Sequence, residues 1–302
     1  MGDSEEGHCS RYCSATSEHY PPSPIPHPLL ITLASLHVYP VKSCRGLALR
    51  EARLTPAGLE HDREWMVVGA EGRFVTQRDE PRLALVVPSF DGAALCLSAE
   101  GAGSVTVPLD FRGDAVTATV WRDRCAAFDQ GDEAARWLSE LLGRPLRLVR
   151  FDQSQARVSD RAWTGGLMAP NLFSDGFALL AVARASLADL NSRLAVPLPM
   201  DRFRPNLVLD GLPAYGEDDV GDLVAGPVRL RRVKACTRCR ITTTNQATGE
   251  VEGEEPLRTL KGYRWDAALR GVAFGQNLIV VAGAGALLHA GAELRAESPL
   301  SP

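Results

Sequence analysis

The sequence predicts an α+β protein that is mainly β. Three observations lead there: short apolar or alternating runs recur through the first half and final third, glycine-bearing turn signals separate them, and only two segments carry the i, i+3, i+4 stripe of a packed helix. With 302 residues, 45% of them hydrophobic, the chain can bury a full core.

Residues 1–30 are polar and then proline-rich (Pro21, Pro22, Pro24, Pro26, Pro28), a composition that buries too little apolar surface to offset ordering; a disordered tail is expected. Strands are predicted over Leu33–Val41, Leu47–Leu54, Trp65–Val68, Arg73–Thr76, Leu83–Val87, Ala93–Leu97, Val105–Val107 and Val116–Val120, between turns at Glu71-Gly72, Asp91-Gly92, Gly101 to Gly103 and Gly113-Asp114. A helix follows over Glu133–Leu142, with Asp132 as N-cap and Gly143 and Pro145 as stop signals. A second helix is predicted over Leu187–Leu194, where Ser186 and Asp189 form an approximate capping box. Between the two helices, residues 153–171 read as a polar loop over a pocket or junction. Strands return at Asn206–Leu209, Val228–Val233, Arg240–Thr244 and Leu278–Val281.

A net charge of −4 and a pI near 5.9 argue against a nucleic-acid binder and direct local cationic clusters toward small anions. Seven scattered cysteines without a signal peptide argue against a disulfide framework. The longest apolar run, Leu278 to Leu288, holds two glycines and falls short of the roughly 20 residues a bilayer requires. No transmembrane anchor is therefore expected, and the expected location is cytoplasmic, with organellar or peripheral membrane association left open.

The chemistry concentrates in residues 234–245, where Cys236 and Cys239 stand among Lys234, Arg238 and Arg240, with Arg232 behind. Nearby cations favour a thiolate. The pair is compatible with a redox dithiol, a structural zinc site, two buried strand cysteines, or a single thiolate holding a soft metal. The β-branched run after Cys239 disfavours the helix that a dithiol needs, and no second Cys or His pair completes a zinc site. Four more segments put cations or hydrogen-bonding groups at turns: residues 39–46 with Lys42 and Ser43, 61–65 with Arg63, 174–176 with Ser174 and Asp175, and 201–206 with Arg204 and Asn206. Lys42 and Ser43 before a glycine turn suit a phosphate, and Arg204, fixed before Pro205, offers a two-pronged fork for an oxyanion.

Taken in order, Val-Lys-Ser-Cys-x-Gly (41–46), Asp-Arg-x-Trp (62–65), Phe-Arg-Pro-Asn (203–206), Ala-Cys-x-Arg-Cys-x-x-Thr-Thr (235–243) and Phe-Gly-Gln (274–276) resemble the MOSC family, and within it the amidoxime-reducing component. The resemblance implies a β-rich N-terminal MOSC-associated domain over residues 31–152 and a barrel-like MOSC domain with a few helices over 153–298. It further implies molybdenum-molybdopterin, the Mo cofactor, bound in a cleft between them. By the same resemblance Cys239 is the molybdenum ligand, and Lys42, Ser43, Arg63, Arg204, Thr237 and Arg238 hold phosphate and pterin. Ser174 and Asp175 lie near the metal, with Asp175 positioning substrate or a proton, and Asn206 supports the Arg204 turn. Gly176 and Phe177 depart from the family's small hydroxylated residues, which makes the pocket more apolar.

The activity so implied is reduction of small N-hydroxylated substrates. Neither a G-x-G-x-x-G fingerprint nor an iron-sulfur cysteine run is present, so electrons are expected from a separate haem or iron-sulfur protein served by a flavin reductase. Two alternatives are a non-catalytic carrier of molybdenum cofactor or of sulfur, and a pocket for another phosphorylated ligand.

Overall fold

A computed structural model describes residues 30–297. The expected tail, apart from Leu30, lies outside the described residues, as do Cys9 and Cys13. Seven strands close into a barrel in the order Leu179–Ala183, Leu207–Asp210, Ile31–Val38, Glu293–Glu297, Asp222–Ala225, Val228–Thr237 and Gly271–Ala282, the last pairing back onto the first. All neighbours are antiparallel except Leu179–Ala183 with Leu207–Asp210. Closure hides the sheet edges, and the interior fills with Leu33, Leu36, Leu179, Leu207, Leu223, Leu230, Leu278 and Leu294.

Strand Ile31–Val38 shows how the sequence meets this geometry. Strict alternation would place Ile31, Leu33, Ser35 and His37 on one face, yet Ile31, Leu33, Leu36 and Val38 are the buried set. A bulge between Leu33 and Ser35, opposite Leu209 and Val208, inserts the extra residue that switches faces.

Residues 65–151 build a second unit. Strands Trp65–Val68, Arg147–Phe151, Asp123–Asp129 and Ala115–Val120 form one sheet, and Val87–Asp91, Ala94–Ser98 and Ser104–Pro108 another. Helix Asp132–Leu142 packs its Ala134, Leu138 and Leu142 against Trp65, Leu95, Leu97 and Leu148. The sheets do not divide at residue 152: Ile31–Val38 is a barrel stave, and Glu51–Thr55 pairs with Leu287–His289. The start of the chain thus stitches the two units together beside the future site.

Several local expectations fail for identifiable reasons. Leu83–Val87 is not one strand. Pro81 lacks a ladder donor and opens a 3-10 turn over Pro81–Leu85. Arg73–Thr76 makes only isolated bridges through Arg73 and Phe74. Gly131, with φ 89°, caps the first helix, and Asp132 enters its first turn to pair with Arg147. The second helix runs over Arg184–Ser192, and its capping box does not form because the buried Ser186 Oγ donates to Glu217 Oε2 at 2.7 Å. The β-branched run after Cys239 is a 3-10 turn over Arg240–Thr243, since Thr242 and Thr243 hydroxyls donate to the Cys239 and Arg240 carbonyls at 2.9 and 2.8 Å.

Candidate functional site

The predicted site residues come from sequence positions almost two hundred apart, and the fold brings all ten to the wall of one cleft of about 140 Å³ where the barrel meets the 65–151 unit. Strand Val228–Thr237 delivers Cys236, Thr237 and then Arg238 and Cys239; the turn after Tyr39 delivers Lys42 and Ser43; the segment before Leu179–Ala183 delivers Ser174 and Asp175. Arg204 follows the turn Met200–Phe203 with φ 55°, a left-handed backbone that aims its guanidinium back over the cleft.

The two cysteines of the pair differ. Cys236 Sγ accepts from Arg238 Nη1 at 2.8 Å, and its side chain packs on the cluster of Leu180, Phe203 and Phe274. Cys239 has no hydrogen-bond partner for its sulfur among the described residues, and it lines the cleft one turn beyond the strand. Elsewhere, burial pushes the Cys44 thiol up to about 12, so that cysteine stays protonated packing.

The cations fall into two groups. Arg63 is spent on the fold: it pairs with the buried Asp62 and donates to Asn206 Oδ1 at 2.9 Å. Arg204 has no carboxylate partner among the described residues, and Arg238 is held by the Phe203 carbonyl at 2.7 Å while its buried Nε has no partner. Arg63 and Arg204 both stack on Tyr39, with guanidinium carbons 4.3 and 4.2 Å from its ring centroid. Burial pushes the Tyr39 phenol up to about 12 and lowers Arg204 to about 10, so both keep their ordinary charge state at neutral pH. Gly46 permits this stack, because a Cβ there would stand 2.4 Å from Tyr39 Cε1.

Lys42 differs from its expected part as a free phosphate donor. Its buried ammonium donates to the Phe173 carbonyl at 2.7 Å and to Asp175 Oδ1. Burial lowers its pKa, and Asp175 opposes that shift. Asp175, half-exposed at the mouth, also accepts from Trp121 Nε1 at 3.1 Å and faces Arg78 at 3.6 Å. Desolvation resists ionisation there, but Lys42 foremost, then Arg78 and Trp121, hold the carboxyl well below the usual carboxylate range. Asn206 is wholly engaged: its side chain bonds Arg63, the Leu180 N–H at 3.1 Å and the His37 carbonyl at 3.1 Å, so it fixes the turn that carries Arg204.

Three contributors escape the sequence reading. Arg157 threads under the 172–175 segment, donating to the Leu172 and Ser174 carbonyls at 2.6 Å each. Trp121 sits in a hairpin turn at φ 54°, unusual for a bulky side chain, and Arg78 stacks on its indole at 4.6 Å. No motif marks these residues; only the pairing of Ala115–Val120 with Asp123–Asp129 puts that turn at the cleft.

The fold and cleft define a two-part MOSC protein: residues 30–145 match the MOSC N-terminal beta barrel domain and residues 169–295 the MOSC domain. The chain belongs to this family. It is 39% identical over 77% of its length to human mitochondrial amidoxime-reducing component 1, covering 72% of that protein, and 35% identical over 77% of its length to rat mitochondrial amidoxime reducing component 2, again covering 72%. Among solved structures, the YUAD protein from Bacillus subtilis aligns over 90% of this chain and 98% of its own at 9% identity, with a TM-score of 0.42.

Proposed function

We propose that this protein binds molybdenum cofactor in the cleft and reduces small N-hydroxylated compounds with electrons from a separate redox protein. The observation that carries the reading is the juxtaposition in one cleft of Cys239, whose sulfur has no partner among the described residues, with Arg204 and Arg238, whose guanidiniums have no carboxylate partner among them. The residues fit the group. Among the described residues no cluster of three His, Cys, Asp or Glu side chains could hold a metal, so Cys239 would be the protein's single ligand to a metal that arrives with its own sulfur donors on a pterin. The orphaned Arg238 Nε and the Arg204 fork are suited to the pterin's phosphate.

When bound, the cofactor supplies the two-electron chemistry in which an N-hydroxyl compound, two electrons and two protons give the amine or amidine and one water. The chain's own residues position and screen. Cys239 holds the metal, Arg204 and Arg238 neutralise the anion, and Ser43 and Thr237 line the same wall. Asp175, already ionised, serves as a hydrogen-bond acceptor at the mouth for the N–H groups of an amidoxime and for the cationic amidine product, rather than as a proton donor. Lys42 and Arg157 hold its loop in place.

The relatives' names, which carry amidoxime reduction and a mitochondrial location, support the substrate class and direct a localisation test to that organelle; cell fractionation separates it from the expected cytoplasmic location. The test is metal and pterin analysis of protein from a host that makes the cofactor, paired with benzamidoxime turnover on a chemical electron donor. Near-stoichiometric molybdenum with turnover is expected. Molybdenum without turnover would instead make the protein a carrier, and absence of both metal and pterin would sink the reading.

A further inference from the structure

A second cavity, of about 350 Å³, lies behind the wall formed by Asp175, Gly176 and Phe177, and those three residues line both spaces. Its far side comes from residues 157–163 and from Lys234, on the strand that two residues later presents Cys236. The cavity therefore adjoins the candidate site through one thin segment, held in place by Arg157 and by the Asn171 side-chain amide donating to the Gly176 carbonyl at 3.3 Å.

Its chemistry differs from that of the cleft. Trp163, 39% exposed, offers a flat apolar surface, and Lys234 Nζ stands 4.4 Å from its ring centroid without an ion pair among the described residues. Of the other charges, Arg157 pairs with Asp123 at 2.8 Å, Asp175 pairs with Lys42, and Asp160 accepts from the Ala162 N–H at 3.0 Å to cap a single helical turn. Leu167 and Met168 are exposed beside Trp163 on the same loop, so the approach is apolar. At Gly176, which lines both spaces, an added Cβ would meet nothing within 4 Å, so the segment between them leaves open room at this residue.

We propose that this cavity receives the organic part of the substrate, a flat aromatic ring bearing an anionic substituent, with Trp163 against the ring, Lys234 on the anion and Gly176 as the gap through which the N-hydroxyl end reaches the cleft. The inference rests on the reductase reading and specifies its substrate class. Aromatic stacking and one half-buried ion pair are modest, separable contributions, so selectivity is the sensitive readout.

The experiment compares kcat/KM for 4-carboxybenzamidoxime and for acetamidoxime, which lacks both ring and anion, in molybdenum-loaded wild type, Trp163→Ala, Lys234→Ala and Gly176→Val, normalised to metal content. The aromatic-to-aliphatic ratio is expected to fall about tenfold in Trp163→Ala and about threefold in Lys234→Ala, through KM for the aromatic compound. Gly176→Val, which narrows the gap without a clash, should lower the ratio as well. A wild type that reduces both compounds, with ratios unchanged within about twofold in Trp163→Ala and Lys234→Ala, would overturn the inference and leave the reductase reading intact. A molybdenum-loaded wild type that reduces neither would overturn both.

Discussion

The barrel interior and the cleft at its edge are made of the same strands but of opposite chemistry. Inside, Leu33, Leu36, Leu207 and Leu294 fill space and leave nothing unsatisfied. At the edge, the strand of Leu230 continues into Cys236 to Cys239 and the strand of Leu207 is entered from Arg204; there the Arg204 and Arg238 guanidiniums have no carboxylate partner and the Cys239 sulfur has no hydrogen-bond partner among the described residues. The difference teaches that stability and ligand binding are separable here, because the cleft is furnished by strand ends and turns rather than by the packed faces.

The largest effect that could break this separation is at Cys239. Cys239→Ala should reduce N-hydroxyl turnover about a hundredfold or more with an unchanged melting temperature, whereas Cys236→Ala should retain most activity. Thermal melts and benzamidoxime assays on both variants check this, and a cofactor-independent stability loss in Cys239→Ala would contradict it. The converse variant lies in the barrel: Leu36, fully buried, should cost about 3 kcal/mol when changed to alanine, read by urea unfolding, with kcat per bound metal preserved.

Tyr39 supplies a sharper version of the comparison, since its ring carries one guanidinium of each kind. Arg63→Ala removes the partner of the buried Asp62 and should destabilise the protein by about 3 kcal/mol, measured by denaturant titration. Arg204→Ala should leave unfolding nearly unchanged and lower cofactor retention through dialysis about tenfold. If the two variants behaved alike, the division into structural and ligand-facing cations would fall.

The smallest predicted effect concerns acid stability. Glu64 is buried beneath His61 at 2.7 Å and Arg150 at 2.6 Å; desolvation resists its ionisation, but these partners prevail and lower its pKa below the usual 4.5. A depressed carboxyl contributes stability above its unfolded pKa and loses it as pH falls through the folded value. Glu64→Gln should therefore cost about 2 kcal/mol at pH 7, and the gap from wild type should shrink only below about pH 4.5. A gap that closed already near pH 6 would show that another group is responsible.

What could be read from the sequence follows the same divide. The residues around the cleft were legible because their order along the chain matches a family; singly, each is also compatible with packing or a surface ion pair. Their individual parts were less so: that Lys42 holds a loop depends on a partner 131 residues away, although the support Asn206 gives the Arg204 turn was expected. Strand Leu179–Ala183, buried at all five positions, lacks alternation and was missed for that reason. The run after Cys239 misled because threonine hydroxyls satisfied backbone carbonyls locally and outweighed β propensity. Trp121 and Arg157 acquire their importance only through tertiary pairing, which no local pattern encodes.

The central claim is that Cys239, and not Cys236, donates the protein's sulfur to the metal. X-ray absorption at the molybdenum edge measures that bond directly in wild type and the two alanine variants, each loaded by cofactor reconstitution. One fewer sulfur scatterer is expected in Cys239→Ala and an unaltered shell in Cys236→Ala. Loss of the scatterer in Cys236→Ala, or an identical shell in all three proteins, would contradict it.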